Sequence, residues 1–316
     1  MSGGFLMKGN KNKKNPSYAK WGYIFVASFF IVYFLFTFVP QVLTIYDSFF
    51  DYTEVVGTLE TEVSFAGFKN YKMLFSRNLR GDIEILRCLG NTIIIWLIGV
   101  IPQMSFGLLI ALIFTSSRLR LKGTGFFKTV FYMPNLIMAA AFASLILALF
   151  GTIGPFHTLF VEKGWIAQTF DFISNKTWAR ILIALMNFLM WFGNTTILLM
   201  AGIQGIDESV FESAKIDGAS SIHVVWDITL PLLKPIAVYV FITSMIGGLQ
   251  MFDVAEVLTG KAKNNSTRTI VMLINDYLKV GNYGHAGAVS VVLFIITGIL
   301  SLIIFKTINR KGESMS

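Results

Sequence analysis

Six stretches of this chain are long and apolar enough to cross a lipid bilayer, which removes most of the folds open to 316 residues. A crossing helix needs about 20 residues at a rise of about 1.5 Å each. The stretches run from Trp21 to Val42, Thr92 to Phe114, Thr129 to Phe150, Ile181 to Ile203, Pro235 to Phe252 and His285 to Phe305. None of them contains Asp, Glu, Lys or Arg; Arg180, Asp253 and Glu256 stand at their margins. Hydrocarbon offers no partner to a backbone N–H or C=O, so an apolar segment of this length closes its hydrogen bonds within itself as a helix. The expected fold class is therefore all-α, a polytopic membrane protein with six transmembrane helices. A soluble enzyme is excluded, since 14% charged residues against 54% hydrophobic is far below the roughly 25% charge of a soluble domain.

Charge placement gives an orientation. Lys8, Lys11, Lys13, Lys14 and Lys20 precede the first apolar stretch, which is too long and lacks the small-residue cleavage site of a signal peptide, so it reads as a retained helix. The sequence thus divides into a basic tail, 1–20, and a six-helix domain, 21–316. The loop with Arg118, Arg120, Lys122 and Lys128 holds no acid either. The positive-inside rule puts both segments in the cytoplasm, together with Lys306, Arg310 and Lys311 near the other terminus. Both termini are then cytoplasmic, and Thr44 to Gly90 and Gly151 to Thr177 lie outside. Lys69, Lys72, Arg77, Lys261 and Lys263 fall on outer loops, but long loops weigh little in this rule. The net charge of +8 is a topology signal of this kind and not a nucleic-acid footprint.

Several chemistries are missing. Ion-coupled transporters, pumps and voltage sensors place ionisable groups at membrane depth, which these six stretches lack. Cys88 is a lone cysteine, and His157, His223 and His285 are scattered with no HExxH, so they read as satisfied loop or helix-end residues. Neither GxSxG nor GxxxxGK[ST] occurs. The chain is expected to carry no catalytic, cofactor or metal residues and not to hydrolyse ATP. Pro102 and Pro134 would break soluble helices but are tolerable in a membrane bundle, and Gly247-Gly248 and Gly284 to Ala288 offer small surfaces for close helix contact.

One polar stretch is strongly patterned, 205–235, between the fourth and fifth spans. Ser209 followed by Glu212 has the spacing of a capping box, so a short helix is expected to start there. Asp217-Gly218 supplies a left-handed turn to end it, Ser220 or Ser221 caps a second short helix, and Pro231 stops that one. Val210, Phe211 and Ala214 share one face of the first helix, and Ile222, Val225 and Trp226 share one face of the second. Physics alone leaves two readings of such a cytoplasmic hairpin: a docking surface for another protein, or an amphipathic element lying on lipid.

Glu212-Ser213-Ala214, then Gly218, then nine residues, then Ile228-Thr-Leu230-Pro231, resembles the EAA signature of binding-protein-dependent ABC transporter permeases. Ser213 stands where that family usually has Ala. The resemblance implies an ABC importer type I permease fold and a loop that sits in a cleft of an ATPase subunit. It assigns Glu212, Ser213, Ala214, Asp217, Gly218, Ile228, Leu230 and Pro231 to that coupling loop. Phe65-Ala-Gly-Phe-Lys-Asn-Tyr71, Asn91-Thr92, Leu258-Thr-Gly260, Thr267-Arg-Thr269 and Tyr283 to Ala288 are similar to the carbohydrate-uptake permeases. Gly260-Lys261-Ala262 replaces the usual Gly-Gly-Pro.

The resemblance implies the maltose-permease-like subunit of a bacterial cell-membrane importer for an oligosaccharide or other carbohydrate. Its expected partners are a second permease, a dimer of ATP-binding subunits that hold ATP and magnesium, an extracytoplasmic solute-binding protein and the lipid bilayer. A phosphorylated polyol or other polar solute is the alternative within that class. A secondary transporter, a channel subunit or a membrane enzyme are alternatives outside it. Sugars are held by aromatic stacking and by amide side chains, so Asn187, Trp191, Asn194 and Gln250 are the candidates for the solute pathway, and Gly193 beside Asn194 permits a close helix approach.

Overall fold

The computed structural model describes residues 19–54, 61–78, 81–116, 122–260 and 265–313. The lysines between Lys8 and Lys14, together with Arg118, Arg120, Lys261 and Ala262, lie outside the described residues.

Six helices meet the length and hydropathy of a membrane crossing: Lys20–Asp47, Glu84–Thr115, Ala139–Glu162, Lys176–Gln204, Ser221–Leu249 and Tyr283–Ile308. The first is built from α1 (Ala19–Tyr33), a π-helical turn at Phe34–Phe38 and α2 (Val39–Asp47). Its side chains are exposed almost throughout, Phe36 at 77% and Trp21 at 62%, as a surface meant for lipid or for another helix would be. It leads into an antiparallel hairpin, β1 (Phe50–Glu54) and β2 (Thr61–Phe65), with Phe50 opposite Phe65 and Tyr52 opposite Val63. The short α3 (Lys69–Leu74) follows. The hairpin is the one departure from an all-α chain among the described residues.

The long helices α4 (Glu84–Thr115) and α8 (Lys176–Gln204) run side by side in the same direction and form the axis of the bundle. Gly99 of α4 approaches the Ala184 carbonyl, and Gly107 abuts Thr195; a side chain at either would hold the helices apart. Apolar clusters fill both sides of this axis. One gathers Ile95, Leu182, Ile183 and Met186 against Ala143, Ile146 and the fully buried Phe172. Another joins Ile85 and Cys88 to Met245, Leu249, Ile270 and Leu273. A third packs Ala111, Leu199 and Ile203 on Leu233 and Val240.

The third apolar stretch is not one helix. α5 (Thr124–Leu136) ends two residues after Pro134, Ile137 and Met138 are extended, and α6 (Ala139–Phe150) then starts afresh. Pro134 lies inside α5, so the ladder bond it lacks falls within that helix and the break comes after it. After the turn at Gly151–Gly154 comes α7 (Pro155–Glu162), and Ala139–Glu162 together has the length and hydropathy of a crossing. α5 packs on α8 instead, at Gly193, where a Cβ would overlap the Phe131 carbonyl.

Small residues also seat the last helix, α14 (Tyr283–Glu313). Gly284 lies against the Phe50 carbonyl and the Asn70 amide, and Gly287 against Thr44 and Ser48 of the first span. Asn70, fully buried, donates to the carbonyls of Ser48 at 3.0 Å and Phe50 at 2.8 Å.

Candidate functional site

α9 (Glu208–Ile216) follows α8 at one end of the bundle. Its N-cap is Asp207, not Ser209: the Asp207 carboxylate accepts from the Ser209 amide at 2.9 Å. That hydrogen bond holds the carboxyl of Asp207 below the usual carboxylate range. The capping box expected of Ser209 and Glu212 is absent, because the chain enters the helix two residues earlier than the Ser-x-x-Glu spacing implied. Ser209 sits in the first turn, where its carbonyl accepts from Ser213 Oγ at 2.9 Å, and Glu212 is exposed. Ala214 is buried and Val210 and Phe211 half-buried on one face. Asp217 ends the helix, and Gly218, at φ +74°, makes the left-handed turn with open space around it.

Ser220 caps the next helix, accepting from the His223 amide at 3.3 Å. Pro231 does not stop that helix. α10 (Ser221–His223) widens into a π-helical turn at Val224–Thr229 and runs on as α11 (Leu230–Leu249), one continuous crossing from Ser221 to Leu249. Pro231 falls in the first turn after the π segment, where its missing N–H and its ring are accommodated by the wider register. The helix that carries the fifth apolar stretch therefore begins well before Pro235, with Asp227 and Lys234 on it. Ile228 and Leu230 are half-buried and Pro231 is exposed. The hairpin presents Ile216 at 86%, Ile222 at 71% and Trp226 at 67% exposure beside the charges of Glu212, Asp217 and Asp227.

A cavity of about 120 Å³ opens midway along the bundle between α4, α8 and α11. Three of the four expected pathway residues line it: Asn187, Trp191 and Asn194, one face of α8 at helical spacing. Gln250 does not line it; it is exposed at the C-cap of α11. Asn187 donates to the Ile183 carbonyl at 3.0 Å and to Met251 Sδ at 3.3 Å, while the Asn194 amide has no hydrogen bond among the described residues. Sequence reasoning missed Gln103, Thr195, Thr243 and Ser244. Gln103 Nε2 donates to Thr195 Oγ1 at 2.8 Å, and its Oε1 accepts from Ser244 Oγ at 3.2 Å, so one side chain ties three helices together. The signal was available: Gln103, next to Pro102, is the one amide within the second apolar stretch. Gly248 takes the Trp96 indole against its backbone, whereas Gly247 faces open space at the cavity wall.

The motif segments expected to mark a carbohydrate subgroup meet at the other end of the bundle. Asn91 Nδ2 donates to the carbonyls of Asn265 at 2.8 Å and Arg268 at 3.1 Å, and Thr92 Oγ1 accepts from the Ile270 amide at 3.0 Å. Arg268 pairs with Glu84 and, at 2.6 Å, with Asp276 of α13 (Ile270–Lys279). Thr267 Oγ1 donates to Thr259 Oγ1 at 2.7 Å, tying down α12 (Asp253–Thr259). These residues bind one another, which makes the segments a structural clamp. The three histidines have hydrogen-bond partners as well: His157 with the Phe170 carbonyl, His223 with Ser220 and His285 with Asn282.

A six-crossing bundle with a broken third span and a capped hairpin feeding the fifth is the fold of an ABC importer permease. It superposes on a chain of a bacterial ABC transporter that imports the acidic polysaccharide alginate, with TM-score 0.74, 18% identity and coverage of 92% of this chain and 96% of that one. A second structure, the alginate transporter with a periplasmic protein carrying an alginate pentasaccharide, gives TM-score 0.68 at 18% identity over 95% and 98%. The chain belongs to the family of binding-protein-dependent transport system inner membrane components, whose model matches residues 103–312. It is 30% identical to a multiple sugar-binding transport system permease of Streptococcus mutans, over 93% of this chain and 96% of that protein. It is 29% identical to an arabinooligosaccharide transport system permease of Bacillus subtilis, over 92% and 90%.

Proposed function

We propose that this chain is one of two permease subunits of an ATP-driven bacterial importer for an oligosaccharide or related carbohydrate. A solute-binding protein delivers the cargo from outside, a partner ATPase dimer binds ATP and magnesium, and this chain forms half of the pathway. Catalysis belongs to the partner. The basic segments support a cytoplasmic position for both termini and the α9–α10 hairpin, the side from which an ATPase would be reached.

The observation that carries the coupling role is the hairpin itself. Ile216, Ile222 and Trp226 are apolar and exposed on a capped element, and its second helix continues without a break into the wall of the cavity. A purely lipid-lying element needs no such continuity. The sugar permeases among the relatives support the cargo class, and an uncharged cavity lined by indole and amide groups is the chemistry that a carbohydrate requires.

Uptake measured together with ATPase co-purification, at equal membrane levels of each variant, tests the coupling assignment. Gly218→Asp puts a side chain on a positive-φ residue, a strain of about 1 kcal/mol, and projects it from the turn. Glu212→Lys reverses an exposed charge on α9. Both variants insert and bind the partner permease, but transport falls with loss of ATPase binding or of coupling. Normal uptake with intact ATPase binding in both overturns it.

A further inference from the structure

The cavity carries one more piece of chemical information, its charge. Fifteen residues line it, and none is Asp, Glu, Lys, Arg or His. The nearest cation along α8, Arg180, is committed elsewhere: its Nε donates to the Ser266 carbonyl at 2.9 Å and its Nη2 to Asn91 Oδ1 at 2.5 Å. Within the same wall, Trp191 leaves 46% of its surface exposed, and Asn194, one turn on, keeps an amide with no partner among the described residues. Gly247 leaves that part of the wall open.

Resting on the importer reading above, we infer that the solute is electrically neutral, a glycan without uronate, sulfonate or phosphate groups. Its sugar ring stacks on the Trp191 indole while a hydroxyl pair meets the Asn194 amide. A carboxylate or phosphate entering this cavity sheds water and finds no cation on this wall to replace it, and an unpaired ion away from bulk water is heavily penalised. A neutral hydroxyl exchanges its water for an amide at little loss. The indole face excludes water from the apolar side of a sugar ring, which an acyclic phosphorylated polyol does not present. An unpartnered Asn beside an exposed Trp, in a wall where Gln103, Thr195 and Ser244 already satisfy one another, leaves these two side chains free for a ligand.

The full transporter, purified with its partner permease, ATPase and binding protein and placed in proteoliposomes, tests this directly. The probes are radiolabelled neutral trisaccharides (maltotriose, cellotriose and arabinotriose), trigalacturonate, and glycerol 3-phosphate. The expected result is uptake of at least one neutral trisaccharide and more than tenfold slower uptake of trigalacturonate. Trp191→Ala lowers the neutral uptake at least tenfold, and Trp191→Phe, which keeps a stacking face, recovers most of it. Asn194→Lys raises the uronate-to-neutral uptake ratio at least tenfold at equal assembled complex. Trigalacturonate carried as fast as the neutral sugars overturns the inference and leaves the carbohydrate importer standing. Unchanged neutral uptake in Trp191→Ala overturns the stacking role. Uptake of glycerol 3-phosphate with no saccharide carried overturns the carbohydrate reading itself, and the inference with it.

Discussion

Arg180, at the start of α8, donates through Nη2 to Asn91 Oδ1 of α4 at 2.5 Å, while the Asn91 amide nitrogen donates to two carbonyls of the segment 265–268. One asparagine thus joins two crossings to the connection between α12 and α13. Asn91→Ala removes three hydrogen bonds and leaves a guanidinium arm and two carbonyls unpaired. Losing one partner of a buried group costs about 1–3 kcal/mol. The expected outcome is a lower thermal midpoint for the purified complex and faster proteolysis between Asn265 and Thr269, with α9 unaffected. Stability equal to the native chain counts against the clamp.

Gly193 makes a second, purely steric prediction. Because a Cβ there overlaps the Phe131 carbonyl, Gly193→Ala forces α5 off α8, and such overpacking costs about 1–3 kcal/mol. Gly247→Ala, one position from the tightly packed Gly248, meets open space and is tolerated for folding. Detergent melting curves of the two variants side by side separate them.

Asp207 gives a pH dependence with a defined sign. Its carboxyl lies below the ordinary carboxylate value because the Ser209 backbone amide donates to the charged form. A depressed folded-state value contributes stability that is present above the unfolded value near pH 4 and lost as pH falls through the folded one. Amide hydrogen exchange at Ser209 and Val210 therefore speeds up only in strong acid. Asp207→Asn, a comparable N-cap that does not titrate, removes that acid sensitivity, and Asp207→Ala speeds exchange at every pH.

The orientation is tested with reporters. Fusions after Met315 are active in the cytoplasm if both termini face inward, and fusions in the β1–β2 hairpin are active outside. A fusion after Met315 that is active outside reverses the proposed topology and, with it, the side on which α9 stands.

Much of this architecture is legible in the sequence, for a simple reason: an apolar run of 20 residues has one stable answer in hydrocarbon. Five of the six expected stretches sit on single helices, and the positive φ of Gly218 follows from the Asp-Gly step alone. The failures have physical causes. Thr129 to Phe150 reads as one run because Ile137 and Met138, where the helix breaks, are as apolar as their neighbours. Ser209 and Glu212 match a pattern that Asp207, two residues earlier, pre-empts with a better acceptor. Pro231 reads as a stop because the π register at Val224–Thr229 has no signature in residue type. The hairpin at Phe50–Phe65 depends on Asn70 and Gly284, far apart in the chain, to hold its first strand. At the cavity, α8 announces Asn187, Trp191 and Asn194 by periodicity, but Gln103 and Ser244 join them only once three helices meet.

The uninterrupted helix from Ser221 to Leu249 has a mechanical consequence. At about 1.5 Å per residue its 29 residues make a rod of roughly 43 Å. The coupling role proposed above would therefore reach Thr243 and Gly247, in the cavity wall, from Ile222 along one unbroken helix. The π turn at Val224–Thr229 lies on that path close to its exposed end, where the wider register interrupts the regular hydrogen-bond ladder.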